Sequence, residues 1–160
     1  MARGRMISQT VATDKRLNSI SEEAELVFLK TIPHLDRDGL IIGDPVLLTA
    51  KVCPRRPKLA AMMEEIIQEW QDAGLVIIYT PGEDPLLFFP GFTKNQIGLR
   101  YDREPDSIYP APPGYYRNGN GLEPIPDQPH TLPPSDGDNP LASGRHPADI
   151  RQPSGTLPPE

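Results

Sequence analysis

Ser21-Glu22-Glu23-Ala24-Glu25-Leu26-Val27-Phe28-Leu29-Lys30-Thr31-Ile32-Pro33 opens the stretch that decides the fold, which continues to Phe92. Ser21 is a good helix N-cap, and Glu22 and Glu23 put negative charge in the first turn, where the helix dipole favours it. Ala24, Val27, Phe28, Thr31, Ile32 and Leu35 fall on one stripe at helical spacing. Pro33 kinks or ends this helix, and Asp36-Arg37-Asp38-Gly39 is turn chemistry. Leu40-Ile41-Ile42 reads as a short strand. Asp44-Pro45 restarts a helix, with Asp as cap and Pro at the first helical position; Pro54 and Pro57 close it. The pattern predicts a third helix over about 58–73, with Leu59, Met62, Met63, Ile66, Ile67 and Trp70 as its apolar face and Gly74 as a left-handed cap.

Beyond Gly74, Leu75-Val76-Ile77-Ile78-Tyr79 and Leu86-Leu87-Phe88-Phe89 read as strands on either side of a loop over residues 80–85. Pro90-Gly91 breaks the second. Helix, strand, helix, turn, helix and two strands is the order of a winged helix-turn-helix. The expected class is therefore α+β, mostly α, with a small antiparallel sheet, and the expected domain spans residues 17–104.

Outside that domain the composition shifts. Of 21 prolines in the 160-residue chain, 14 lie from Pro105 onward, with six glycines, three arginines and no lysine. So little apolar surface does not offset the entropy of ordering a segment, which predicts a disordered acidic Pro/Gly-rich tail over 105–160. Residues 1–16 read as a basic flexible arm with no apolar segment of signal-peptide type. No run approaches the roughly 20 apolar residues of a membrane span. The single cysteine, Cys53, fits a reducing compartment and a buried position at the end of the second helix.

Charge argues in two directions. Residues 1–104 carry 13 basic and 15 acidic side chains, and the whole chain is at −6, so no bulk basic excess favours nucleic acid. Any DNA surface must come from clustering. The cluster is Arg55, Arg56 and Lys58, with Lys51 one turn earlier, at the turn where a helix-turn-helix meets the major groove. There the cations would displace counterions from phosphates. Lys94, Lys15, Arg16, Arg3 and Arg5 are secondary candidates, the last two as an arm for a minor groove. Against this, the third helix exposes Glu64, Glu65, Gln68, Glu69, Gln71 and Asp72, and the wing loop carries Glu83 and Asp84.

Other chemistry finds little support. Asp36, Asp38 and Asp44 do not follow the calcium-loop spacing, because the fifth and twelfth positions are Leu40 and Leu47. No zinc spacing, phosphate-cradling glycine loop, nucleophile elbow or paired-carboxylate site stands out, so neither cofactor nor metal nor catalysis is expected. Tyr101, Tyr109, Tyr115 and Tyr116 lie near Arg100, Arg103 and Arg117, a mixture suited to single strands or a partner groove. Pro110-Ala111-Pro112-Pro113 and Pro126-Asp127-Gln128-Pro129 fit a polyproline ligand pattern.

Several strings resemble bacteriophage and prophage replication-initiation proteins, or replisome organisers. They are the opening Met1-Ala2-Arg3-Gly4-Arg5-Met6-Ile7, the run from Leu17 to Leu26 with Asp36-Arg37-Asp38-Gly39, and Trp70-Gln71-Asp72-Ala73-Gly74-Leu75-Val76. Phe92-Thr93-Lys94-Asn95-Gln96 is similar too, with Asn95 where the family shows His, as is Arg103-Glu104-Pro105-Asp106-Ser107. The resemblance covers about residues 1–113. It implies a winged helix that binds double-stranded DNA at a replication origin, in the cytoplasm of a bacterial host. In longer members it also implies recruitment of the replicative helicase or its loader, which here would fall to the tail.

Two alternatives stay open on the residues themselves. One is an acidic winged-helix adaptor, or a phage inhibitor of a host nucleic-acid enzyme, using the carboxylates of the third helix. The other is a transcriptional regulator.

Overall fold

Ser21 caps α1 (Glu22–Thr31), its hydroxyl accepting the Ala24 N–H at 3.2 Å, in the computed structural model, which describes residues 4–126. Asp44 caps α2 (Pro45–Val52) in the same way, accepting from Val46 and Leu47 N–H at 3.0 and 2.8 Å. These side chains satisfy amides that a helix start leaves without partners. A strand β1 (Leu40–Ile42) lies between the two helices, after a 3₁₀ turn at Ile32–His34 that Pro33 enforces.

The predicted third helix is two. α3 (Pro57–Ala61) and α4 (Met63–Asp72) meet at Met62, whose φ of −103° and ψ of 0° depart from regular α-helical values. The Met62 N–H turns back to Leu59 O, and Met62 O accepts the first bond of α4 from Ile66. Leu59 before the break and Met63 after it are both in the core. Gly74, at φ 68°, ends α4 as expected. β2 (Ile77–Tyr79) and β3 (Leu86–Phe88) follow, then a short α5 (Phe92–Asn95).

The three strands form an antiparallel sheet in the order β1-β3-β2, with Ile41 and Ile78 both opposite Leu87. Those central residues face the helices, where Ala24, Val27, Leu48, Leu59, Met63, Ile66 and Trp70 close the main core. Trp70 is fully buried. Its indole N–H donates to Ala24 O at 3.0 Å, and its ring meets Phe28 edge-on at 5.6 Å. An aromatic contact of this kind adds about 1 kcal/mol beyond the area it buries.

The other sheet face is covered as well, and the cover comes from residues expected to be disordered. Residues 105–126 run back across Leu40, Tyr79, Leu86 and Phe88 and end in a hairpin of β4 (Tyr115–Arg117) and β5 (Leu122–Pro124). Leu122 joins that cluster, Tyr109, Ala111 and Tyr115 pack on it, and Tyr79 donates its hydroxyl to Pro110 O at 2.6 Å. Apolar anchors and named hydrogen bonds offset the chain entropy that composition alone says is lost. Residues 127–160, the rest of the expected tail, lie outside the described residues.

The N-terminal arm is likewise held. Gln96 both donates to Met6 O and accepts from Met6 N–H, at 2.7 and 2.9 Å, and a 3₁₀ turn spans Gln9–Ala12. The architecture is α+β with a small antiparallel sheet. Among the described residues no helix is long and apolar enough to cross a membrane.

Candidate nucleic-acid interface

The corner between α2 and α3 is built by its prolines. α2 stops at Val52, and Cys53, at φ −138°, turns the chain away while its N–H still bonds Thr49 O. Arg56 N–H closes the turn on Cys53 O at 3.0 Å, and Pro57 starts α3 at a position where its missing N–H costs nothing. Residues 54–58 are all exposed as a result. The side chains of Lys51, Arg55 and Arg56 reach solvent and make no hydrogen bond or ion pair among the described residues.

Lys58 is the exception within the cluster. Its ammonium lies 2.7 Å from Glu23 Oε1, and that hydrogen bond holds the Glu23 carboxyl below its ordinary range. The pair is exposed, so it is worth little and is open to exchange with a competing anion.

Two further groups gather here that sequence spacing did not bring out. Burial pushes the Cys53 thiol up, against the pull of the Lys30 and Arg56 charges, so Lys30 in the last turn of α1 acts electrostatically on the end of α2. Partial burial, and then the Lys51 charge, lower the His34 imidazole. Only the packing of α1 against α2 joins these residues to Arg56, and no local motif announces it.

The other candidates lie elsewhere. Arg5 is not on a free arm: its side chain is 6% exposed and grips Glu104 with two nitrogens, at 3.1 and 3.2 Å. It also donates to Leu35 O and sits 5.6 Å over the Phe92 ring. With four of its five N–H donors so engaged and its side chain buried, this guanidinium is not offered to a phosphate. Arg16 pairs with Asp14 and donates to Gly74 O at the end of α4, a favourable place for a cation. Lys15 and Lys94 are exposed and unpaired, Lys94 on the helix that leads into the Gln96–Met6 contact. Arg3 lies outside the described residues.

The acidic surface is also partly spoken for. Glu69 accepts from Ser21 N–H and hydroxyl at 2.8 and 3.0 Å, so it ties α4 to the start of α1 rather than facing solvent. Glu64, Glu65 and Asp72 remain exposed, and Gln68 donates to Asp72 at 2.8 Å. The loop between β2 and β3 exposes Glu83 and Asp84 and holds no cation. The three aspartates of the rejected calcium pattern have separate tasks. Asp36 organises its turn and takes the Ser107 hydroxyl, Asp38 pairs with Arg117, and Asp44 caps α2.

The aromatic mixture after the sheet is mostly structural. Tyr109 and Tyr115 lie against the sheet and the Tyr101 ring is half-buried, which leaves Tyr116 as the exposed ring. Pro112 is fully buried, so Pro110-Ala111-Pro112-Pro113 is not offered as a polyproline ligand; Pro126-Asp127-Gln128-Pro129 falls mainly outside the described residues.

No protein-family model, curated protein or solved structure matches this chain.

Proposed function

We propose that this chain is a winged helix-turn-helix protein that binds duplex DNA, without catalysis, in replication initiation of phage or prophage type. The observation that carries the reading is the unpaired, exposed trio Lys51, Arg55 and Arg56 at the turn leading into α3. The order α1-β1-α2-α3-α4-β2-β3 and the strand order β1-β3-β2 support it, because that arrangement presents this turn and the start of the next helix outward.

On this reading Arg55 and Arg56 neutralise neighbouring phosphates and release their counterions, with Lys51 and Lys30 beside them. Lys58 exchanges Glu23 for the backbone. Base contacts are confined to the first turn of α3, because Glu64 and Glu65 beyond it repel phosphate. The replication role rests on the resemblance of the strings at residues 1–7, 17–26, 70–76 and 92–96. Residues 127–160 are then the segment through which a helicase or its loader would be recruited.

The test is fluorescence anisotropy of the full chain with random duplex DNA at about 50 and 200 mM salt. Binding that falls steeply with salt is the expected result. No binding at the lower salt removes this reading and favours a second one, which the exposed Glu64, Glu65 and Asp72 support: a protein adaptor whose acidic helix meets a basic partner. A promoter-binding regulator would pass the same first test and be separated by its target site.

A further inference from the structure

The basic corner borders an apolar surface that duplex binding leaves unused. Val46 is 76% exposed and Leu47 49%, both in the first turn of α2. Val46, Ala50 and Pro54 line an open groove with Ala60 of α3, and Thr49 lies in its floor with its hydroxyl buried and unpaired. Phosphate gains nothing from valine or proline. Asp44 also occupies the start of α2, accepting the Val46 and Leu47 amides, so an anion is repelled from that end. The groove therefore suits a ligand that is apolar over part of its length and acidic over the rest, with its acidic part at Lys51, Arg55 and Arg56.

The chain itself carries such a segment. Leu132-Pro133-Pro134-Ser135-Asp136-Gly137-Asp138-Asn139-Pro140-Leu141 sets two leucines around two aspartates, and no Lys or Arg occurs between Asn118 and Gly144. Asp136 lies ten residue steps beyond Pro126. Extended, that stretch spans about 33 Å, comparable to the distance across a domain of this size, which brings the corner within reach from the sheet face.

We propose that the segment from Leu132 to Leu141 docks on the groove of Val46, Ala50, Pro54 and Ala60, with Asp136 and Asp138 on Lys51, Arg55 and Arg56, and competes there with duplex DNA. The competition rests on the duplex-binding reading above; the docking does not. Tethering supplies the segment at an effective concentration of order millimolar, so even weak contacts are occupied. A partner that captures the segment frees the corner, which couples recruitment to DNA binding.

The experiment uses the full chain and the neutral pair Leu132→Ser with Leu141→Ser, which removes the anchors without changing charge. Methyl NMR of Val46, Leu47 and Ala50 is the first readout, and duplex affinity at about 100 mM salt the second. The expected result is a shift of these methyls in the variant, independent of protein concentration, and duplex binding tightened by about threefold to tenfold. Asp136→Asn with Asp138→Asn moves the same methyls. Unmoved methyls overturn the docking, whatever the duplex does. Shifts that grow with protein concentration assign the groove to a second copy and overturn it too. Moved methyls with unchanged duplex affinity reject the competition. Absence of duplex binding in every form removes the proposed function, while the methyls still decide the docking.

Discussion

Arg117 donates through Nε to Asp38 Oδ2 and so ties β4 to the turn before β1, across 79 residues of sequence. Asp38 is 1% exposed, whereas Arg117 keeps 34% of its side chain in solvent. The two halves of the pair therefore differ in what their loss costs. Arg117→Ala leaves a buried carboxylate with only Arg37, at 3.9 Å, to answer it. A fully buried break costs about 3–5 kcal/mol, and partial exposure reduces that to about 2 kcal/mol here. Adding Asp38→Asn to Arg117→Ala should recover part of the loss, because the stranded charge is gone. Urea unfolding of the three variants forms the cycle, and a double variant no more stable than Arg117→Ala alone would show that the pair is not what holds the hairpin.

Arg55→Ala combined with Arg56→Ala is expected to do the reverse. Both side chains are exposed and unpaired, so unfolding free energy should stay within about 0.5 kcal/mol of the parent. Duplex binding should weaken for every sequence, and the slope of log K against log salt should flatten by about two. An unchanged slope takes both residues out of the interface.

Arg5→Ala separates a buried arginine from an interface arginine. The guanidinium holds Glu104, Leu35 O and the Phe92 face at once, so its loss strands a carboxylate that is 8% exposed. A loss of about 3 kcal/mol is expected in urea unfolding. The salt slope of duplex binding should not move. A changed slope with intact stability would return Arg5 to the DNA-contacting set.

These contrasts also mark what the sequence could and could not tell. Ser21, Asp44-Pro45 and Gly74 act within four residues of themselves, and the stripes of α1 and α4 are periodic, so those elements were legible. The cover that residues 105–126 lay over the sheet was not, because they share their proline-rich composition with residues 127–160. One signal did exist. Leu86, Leu87 and Phe88 are apolar on both faces of β3, and a strand at the centre of a small sheet needs that only when both faces are covered. In the candidate site, Arg55 and Arg56 were found because they are adjacent. Lys30 and the engagement of Arg5 depend on contacts between distant segments, which no local pattern encodes.

Asp36 offers a test by pH. Burial raises its carboxyl above the ordinary 3.8, with the Asp38 charge adding to the rise and the Ser107 and backbone hydrogen bonds opposing it. The folded chain thus holds this proton more tightly than the unfolded one. Stability from this group is lost as pH rises from about 3.8 through the folded value, the opposite of an ordinary surface aspartate. Asp36→Asn keeps acceptors for the Asp38 and Leu40 amides and can donate to Ser107, without a buried charge. Its stability relative to the parent should therefore increase with pH across that window and then level off. A difference in urea midpoint that is flat from about pH 3.5 to 7 would mean that Asp36 does not carry the raised pKa.

Gly39 and Gly82 make a matched pair for the backbone. Gly39 sits at φ 79°, in the turn that Asp36 organises, and a Cβ there would lie 2.7 Å from Phe92 Cβ. Alanine in that conformation costs about 1–2 kcal/mol from the backbone alone. The contact adds to this, because it is with the first side-chain carbon of buried Phe92, whose ring Arg5 also covers, and neither can swing aside. Gly82, in the loop between β2 and β3, has no positive φ and open space around its Cβ position. Gly82→Ala should therefore be neutral or stabilising by up to about 1 kcal/mol, through the unfolded chain. Gly39→Ala should lose about 3 kcal/mol or more by urea unfolding and loosen Phe92, read as faster hydrogen exchange in residues 92–96. Equal stability for the two variants would show that the turn before β1 does not need glycine, and that α5 is not wedged against it.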